Sequence, residues 1–308
     1  MAQLDDRITL HKLEVFVLVA DLGSVGKAAD LLHVTQPVVT QHLKVLADRV
    51  GATLLVRDGR RMVLSAAGEV VYPWAKETLA RAGDLARELQ GLADGSRGRV
   101  AVGASMTMGS YVLPEPVSRF KLARPLAHVE LHVSDADSAL QAALDGRCDF
   151  AVAVSDREPD TSVFEVEGHA VEPLILVAAP ENAEIGPVVG PAVLARVPFV
   201  CSPLGMSRRT LVDGLLARHG VVRERIMLEV SHPESMKRAV RSGLGVAFML
   251  WSAASDELAR GSLRAVEIDG IAIEVPVYIA KRRGKALTTV QRDLLDVARQ
   301  AIGAPSGH

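Results

Sequence analysis

Residues 13–68 carry the pattern that most restricts how this chain can fold. Leu13, Phe16, Val19 and Ala20 fall on one helical face. Gly23-Ser24 interrupts that helix, and Ser24 suits the N-cap of a second one. The second helix turns Ala28, Ala29 and Leu32 inward, and its alanines let two helices cross closely. His33-Val34 forms a tight turn. Thr35 can cap a third helix, and Pro37 sits in its first turn, where a missing N–H costs nothing. Val39, Leu43 and Leu46 then face the core. Short helices joined this way have the geometry of a helix-turn-helix.

Gly51 closes the third helix. Beyond it, Leu54-Leu55-Val56 and Met62-Val63-Leu64 flank Arg57-Asp58-Gly59-Arg60-Arg61, with Asp58-Gly59 as the hairpin turn signal. The segment reads as a β-wing with a basic tip. On the third helix Gln36, Thr40, Gln41 and Lys44 lie opposite the apolar face. Gln can pair with adenine N6 and N7, Thr offers a hydroxyl and a methyl, and Pro37 and Val38 can touch a thymine methyl. Ser24 and Thr35, at the two helix starts, belong to the same candidate contact set. The competing reading is an ordinary solvated polar face. The juxtaposition of turn, helix and wing favours a duplex groove over solvent, with Arg57, Arg60 and Arg61 on phosphates or the minor groove.

Charge supports a local contact. The 308-residue chain has a formal net charge of −2, so no whole-chain positive field exists. Residues 36–61 nevertheless hold five basic side chains (Lys44, Arg49, Arg57, Arg60, Arg61) against two acidic ones (Asp48, Asp58). Aromatic residues make up only 4%, which argues against single-strand binding by base stacking. The polar start of the chain lacks a secretory signal and the longest apolar runs are too short to cross a bilayer, so a cytoplasmic location without membrane contact is expected.

Residues 66–94 form one long helical pattern in which Ala75, Leu79, Ala82, Ala86, Leu89 and Ala93 recur at spacings of three and four. Leu85 and Leu92 lie beside this seam, which calls for a partner helix. Asp94-Gly95-Ser96-Arg97-Gly98 reads as a hinge. From Arg99 onward strands and helices alternate, which predicts α/β sheets covered on both faces. About 200 residues of this kind favour two lobes over one.

The pattern from Leu13 through Phe16, Val19-Ala20, Gly23-Ser24, Ala28-Ala29, Leu32 and Thr35-Gln36-Pro37 resembles LysR-type transcriptional regulators. So does its continuation through Gly51, Leu54 and Arg57 to Leu64-Ser65 and Ala67-Gly68. Three positions depart from the family pattern: Gln41 where arginine is common, Ala47 where glutamate is common, and Leu55 in place of phenylalanine. The resemblance implies a winged helix-turn-helix, mainly α, over residues 8–67, a linker and dimerisation helix over 68–94, and a hinge over 95–98. It implies an α/β effector domain over 99–303 resembling type 2 periplasmic binding proteins, with one lobe near 99–168 and 271–303 and the other near 169–270. It further implies a double-stranded, imperfectly palindromic operator, homodimers paired into tetramers, contact with RNA polymerase, and a small-molecule effector between the lobes.

Ligands of open α/β sheets gather at the carboxyl ends of strands. Ser105, Met106 and Thr107 follow the first strand of this region, and their hydroxyls and nearby N–H groups suit an anion. Ser134, the run Ser202-Pro203-Leu204-Gly205, and Ser231-His232 follow other strands and complete the expected cleft. Each hydroxyl could equally cap a turn. Gly243-Leu244-Gly245 fits no nucleotide fingerprint and reads as a turn.

The nine histidines show no metal-ligand spacing, and no nucleophile-elbow signature is visible, so no enzyme and no cofactor beyond the effector is expected. Cys148 and Cys201 admit an alternative reading as redox sensors, although free cysteines more often act as small buried hydrophobes. Two further function classes are compatible with a helix-turn-helix: an effector-free architectural DNA-binding protein, and an enzyme fused to a DNA-binding head. The long two-lobed region argues against the first, and turnover of a ligand would identify the second.

Overall fold

The computed structural model describes residues 8–93 and 98–303. They divide into two compact units, the first formed by residues up to Gln90 and the second by most residues from Gly91 onward.

In the first unit α1 (Leu10–Leu22), α2 (Val25–Leu31) and α3 (Gln36–Val50) precede a hairpin of β1 (Leu55–Asp58) and β2 (Arg61–Leu64) and the long helix α4 (Ala66–Ala93). Gly23, at φ 60°, lets the chain leave α1 through the left-handed region. The Ser24 hydroxyl accepts from Lys27 N–H at 3.3 Å, as the sequence predicts. Thr35 occupies the N-cap position of α3 but makes no side-chain cap bond, so that expectation is only half met. Val15, Val19, Ala28, Ala29 and Val39 pack into one core cluster, and Leu13, Phe16, Leu46, Leu54 and Ala75 into another.

The hairpin differs from the sequence reading by one residue. Asp58 pairs with Arg61, leaving Gly59-Arg60 as the two-residue loop, with Gly59 at φ 57°. Arg57 and Arg61 thus lie on the strands and only Arg60 at the tip. The Met62 N–H donates to the Gly23 carbonyl at 2.9 Å, docking the wing on the α1–α2 turn. Gly68 is obligatory: a Cβ there would stand 2.0 Å from the Leu54 carbonyl oxygen.

Helix α4 buries the start of its seam, Ala75 and Leu79, in the helix-turn-helix core. Farther along, Leu85 and Leu89 are each 57% exposed. The side chains of Leu92 and Ala93, and the expected hinge apart from Gly98, lie outside the described residues.

The second unit opens with β3 (Arg99–Ser105), a π-helical turn (Met108–Val112), α5 (Pro114–Ala123), β4 (His128–Ser134), α6 (Ala136–Leu144) and β5 (Phe150–Val154). The long β6 (Phe164–Ala178) leads to β7 (Val188–Val189), α7 (Pro191–Leu194), β8 (Phe199–Cys201), α8 (Ser207–Arg218), β9 (Ile226–Glu229) and α9 (Pro233–Arg241). The chain closes with β10 (Ala247–Leu250), α10 (Trp251–Ala259), β11 (Arg264–Ile268), β12 (Glu274–Arg282) and α11 (Thr289–Gly303). One lobe is the sheet β4-β3-β5-β12-β6. The other gathers β10, β11 and β7 on the far half of β6, with parallel β8–β9 bridged to it at Phe199 and Val246.

Strand β6 serves both lobes, and it changes partner between Pro173 and Leu174: β12 pairs with 164–173, β10 and β11 with 174–178. Only its second half, residues 173–178, is a continuous apolar run. Its first half is interrupted by Glu165, Glu167, Gly168 and Glu172, and becomes a strand because β12 lies alongside it. The turn Gly243-Leu244-Gly245 is structural: a Cβ on Gly245 would stand 2.2 Å from the Pro198 carbonyl.

Candidate nucleic-acid interface and effector cleft

Helix α3 separates its residues by face. Thr35, Gln36, Pro37, Val38, Thr40, Gln41 and Lys44 are exposed, while Val39 and Leu46 are fully buried. The burial anchors the helix, and the exposed row starts at its first turn, the part of a recognition helix that reaches base edges. The Thr40 hydroxyl donates to the Gln36 carbonyl at 3.0 Å, which leaves its lone pairs free to accept. Arg57, Arg60 and Arg61 are all exposed on the hairpin. Ser24 lies at the start of α2 with its hydroxyl engaged by Lys27 N–H.

In the second unit the residues expected to bind effector lie at or just beyond strand ends. Ser105 is buried at the end of β3, and its Oγ accepts from Val154 N–H at 3.1 Å. Thr107 is buried at the head of the π-turn, and Met106 is half-buried. Ser134 ends β4 and donates to the Asp135 carbonyl at 3.2 Å. Ser202 is buried after β8, whereas Leu204 is 75% exposed and Gly205 turns at φ 86° beyond the half-buried Pro203. Ser231 and His232 are exposed, and His232 Nδ1 caps α9 by accepting from Glu234 N–H at 3.2 Å.

The lobes are joined by groups the sequence did not reveal. From the π-turn of one lobe, Tyr111 donates its hydroxyl to Glu234 Oε1 of the other at 2.7 Å. Its ring packs at the edge of the cluster containing Val200, Met236 and Met249, and lies beneath the Lys237 ammonium, 4.8 Å from the centroid. Lys237 is buried and bridges Glu257 at 2.9 Å and Glu234 at 2.7 Å. Burial, together with the hydrogen bond to Glu234, pushes the Tyr111 hydroxyl pKa up, so it stays a donor. Ser207 donates to Asp137 at 3.1 Å as a second tie.

Beside these ties a cavity is lined by Cys201, Ser202, Arg208, Arg209, Val212, Arg223, Met236 and Phe248. Of the residues expected to bind effector, only Ser202 lines it. Arg208, Arg209 and Arg223 were not foreseen. The one available signal was Arg208-Arg209 in the first turn of α8, where the helix dipole disfavours cations. Cys201 is buried, and burial raises its thiol pKa, which keeps it protonated; Cys148 is equally buried. A buried thiol whose pKa is raised, as at Cys201, is a poor redox sensor. Among the described residues no group of His, Cys, Asp and Glu could hold a metal ion, and no helix is long and apolar enough to cross a membrane.

Residues 10–69 match the bacterial regulatory helix-turn-helix protein family of the lysR type, and residues 93–303 match the LysR substrate binding domain. A probable RuBisCO transcriptional regulator of Nostoc sp. is 29% identical over 304 residues, covering 93% of this chain and 88% of the relative. The fold is similar to full-length CbnR complexed with its target DNA, at TM-score 0.57 and 24% identity, with 96% and 100% of the two chains covered. It is also similar to the Synechocystis PCC6803 CcmR regulatory domain in complex with 2-PG, at TM-score 0.60 and 23% identity, covering 68% of this chain and 99% of that one. With both family matches seated on the units described above, the chain belongs to the LysR-type regulators: it is a DNA-binding transcriptional regulator with an effector-binding domain, and not an enzyme.

Proposed function

We propose that this regulator reads a double-stranded operator with the exposed row of α3 in the major groove and the wing arginines on the flanking backbone or minor groove. Gln36, Pro37, Thr40 and Gln41 read bases, and Lys44, Arg57, Arg60 and Arg61 take phosphates, with Ser24 and Thr35 at the edge of the contact. The observation that carries this reading is the sorting of α3 into a face anchored by the fully buried Val39 and Leu46 and an opposite exposed row, beside an exposed arginine hairpin. The chain acts in the cytoplasm as a homodimer through α4, and dimers pair into tetramers that can meet RNA polymerase. The bare leucines Leu85 and Leu89 support the helix pairing.

An anionic metabolite enters between the lobes near Ser105, Met106, Thr107, Ser134, the 202–205 turn and Ser231-His232. It favours one lobe arrangement over another, and the difference passes through residues 95–98 to the DNA-binding heads. The CcmR regulatory domain, complexed with 2-PG, supports a small anion in such a domain. The test is selection of genomic fragments by the full-length protein at moderate ionic strength, repeated with a metabolite panel that includes 2-PG. Enrichment of a two-fold related site, altered by at least one anion, is expected. Binding without any sequence preference would overturn the reading.

A further inference from the structure

Three arginines line the cavity under β8, and only two are neutralised. Arg209 pairs with Asp213 at 2.5 Å and Glu229 at 3.0 Å, and donates to the Ser202 carbonyl and Cys201 Sγ at 3.0 Å each. Arg223 pairs with Asp213 and lies over the Phe199 ring, 5.5 Å from the centroid. Arg208 has no carboxylate among the described residues, and its Nη2 is buried without a hydrogen-bond partner. Ser202, 3% exposed, also leaves its Oγ buried and unpartnered. Both residues line one cavity, at the N-terminal end of the 12-residue helix α8.

A guanidinium with one nitrogen buried and unpartnered and no counter-charge is costly, and an unpartnered buried hydroxyl beside it adds to that cost. Helix α8 adds the positive end of its dipole. All three terms have the same remedy, an anion. The cavity measures about 10 Å³, room for one water-sized centre. What enters is therefore a single oxygen of a larger group whose body lies toward the lobe boundary, where Tyr111 packs against the cluster that includes Met236 of the cavity lining.

We propose that Arg208 and Ser202 form the oxyanion receptor of this regulator, and that Arg208 determines its preference for a carboxylate, phosphate or sulfur oxyanion over a neutral ligand. The inference rests on the effector-cleft reading above and adds its charge-selecting residue.

The test is thermal unfolding of the full-length protein with phosphate, sulfate, acetate and the neutral isostere acetamide, at fixed ionic strength. One or more of the anions raises the midpoint by roughly 3–5 °C at ten times its Kd, and acetamide does not. The anion that acts identifies the headgroup class. Arg208→Met loses the shift while its ligand-free midpoint stays equal or rises, because a partly buried charge without a counter-ion has been removed. Arg208→Lys retains a smaller shift, having the charge without the planar fork. A shift that survives in Arg208→Met, a ligand-free midpoint that falls in that variant, or a response to acetamide alone would overturn the proposal and leave the effector cleft standing. Absence of any shift with these probes overturns the receptor, and the metabolite panel then decides the cleft separately.

Discussion

Lys237 is the electrostatic centre of the lobe boundary, and its replacement has a calculable consequence. Its ammonium is shared by two carboxylates that differ in solvation: the Glu257 side chain is 9% exposed and that of Glu234 is 45% exposed. Lys237→Met leaves Glu257 buried without its cation, whereas Glu234 is stabilised by water and by Tyr111. Breaking a buried ion pair on one side destabilises by about 3–5 kcal/mol, against about 0–1 kcal/mol for a largely exposed one. For a domain of this size that corresponds to a fall in midpoint of roughly 6–20 °C. The asymmetry gives the sharper check. Lys237→Met/Glu257→Leu removes both buried charges and should recover most of the loss, while Lys237→Met/Glu234→Gln should recover little. Thermal melts of the four proteins under one buffer measure this. Equal recovery in the two double variants, or a single-variant loss below about 1 kcal/mol, would refute the assignment of the burden to Glu257.

On DNA, Gln36→Ala should relax preference at one base position by about 1–3 kcal/mol, seen in competition binding with single-base operator variants. Arg60→Ala should weaken all sequences alike and reduce the slope of log affinity against log salt by about 0.9. Leu85→Asp/Leu89→Asp should convert the dimer to monomer in sedimentation while leaving the fold intact, since both side chains are exposed. The Tyr111–Glu234 bridge should be acid-sensitive. Burial pushes the Glu234 carboxyl up, but bonds from Lys237 and Tyr111 outweigh it and hold its pKa below the ordinary 4.5. Stability from that bridge is present above pH 4.5 and is lost as pH falls through the depressed value. The midpoint difference between the wild-type protein and Tyr111→Phe should therefore be flat from pH 8 to 6 and shrink below about 4.5.

The DNA-binding unit was legible because its signals are local. Ser24 capping, Pro37 in the first turn and the periodic Val39, Leu43 and Leu46 act within a few residues of each other, and α1 to α3 form where those signals fall. The Gly59-Arg60 loop escaped by one residue, because pairing across the hairpin and the tie from Met62 to Gly23 set its register. Strands of the effector domain were visible where both faces are buried, as in β3 and β5. The polar half of β6 was invisible because its strand character comes from β12, about 110 residues away.

Sequence alone determined the helix-turn-helix, the exposed row on α3 and the alternation that makes an α/β domain, since each is a pattern with a fixed period. Only the tertiary structure decided which charges are satisfied. Whether Arg208 differs from Arg209 and Arg223 depends on where Asp213 and Glu229 come to lie, and whether Lys237 is buried depends on Tyr111 arriving from the other lobe. Electrostatic balance is a sum over neighbours in space, and neighbours in space are what a linear sequence does not state.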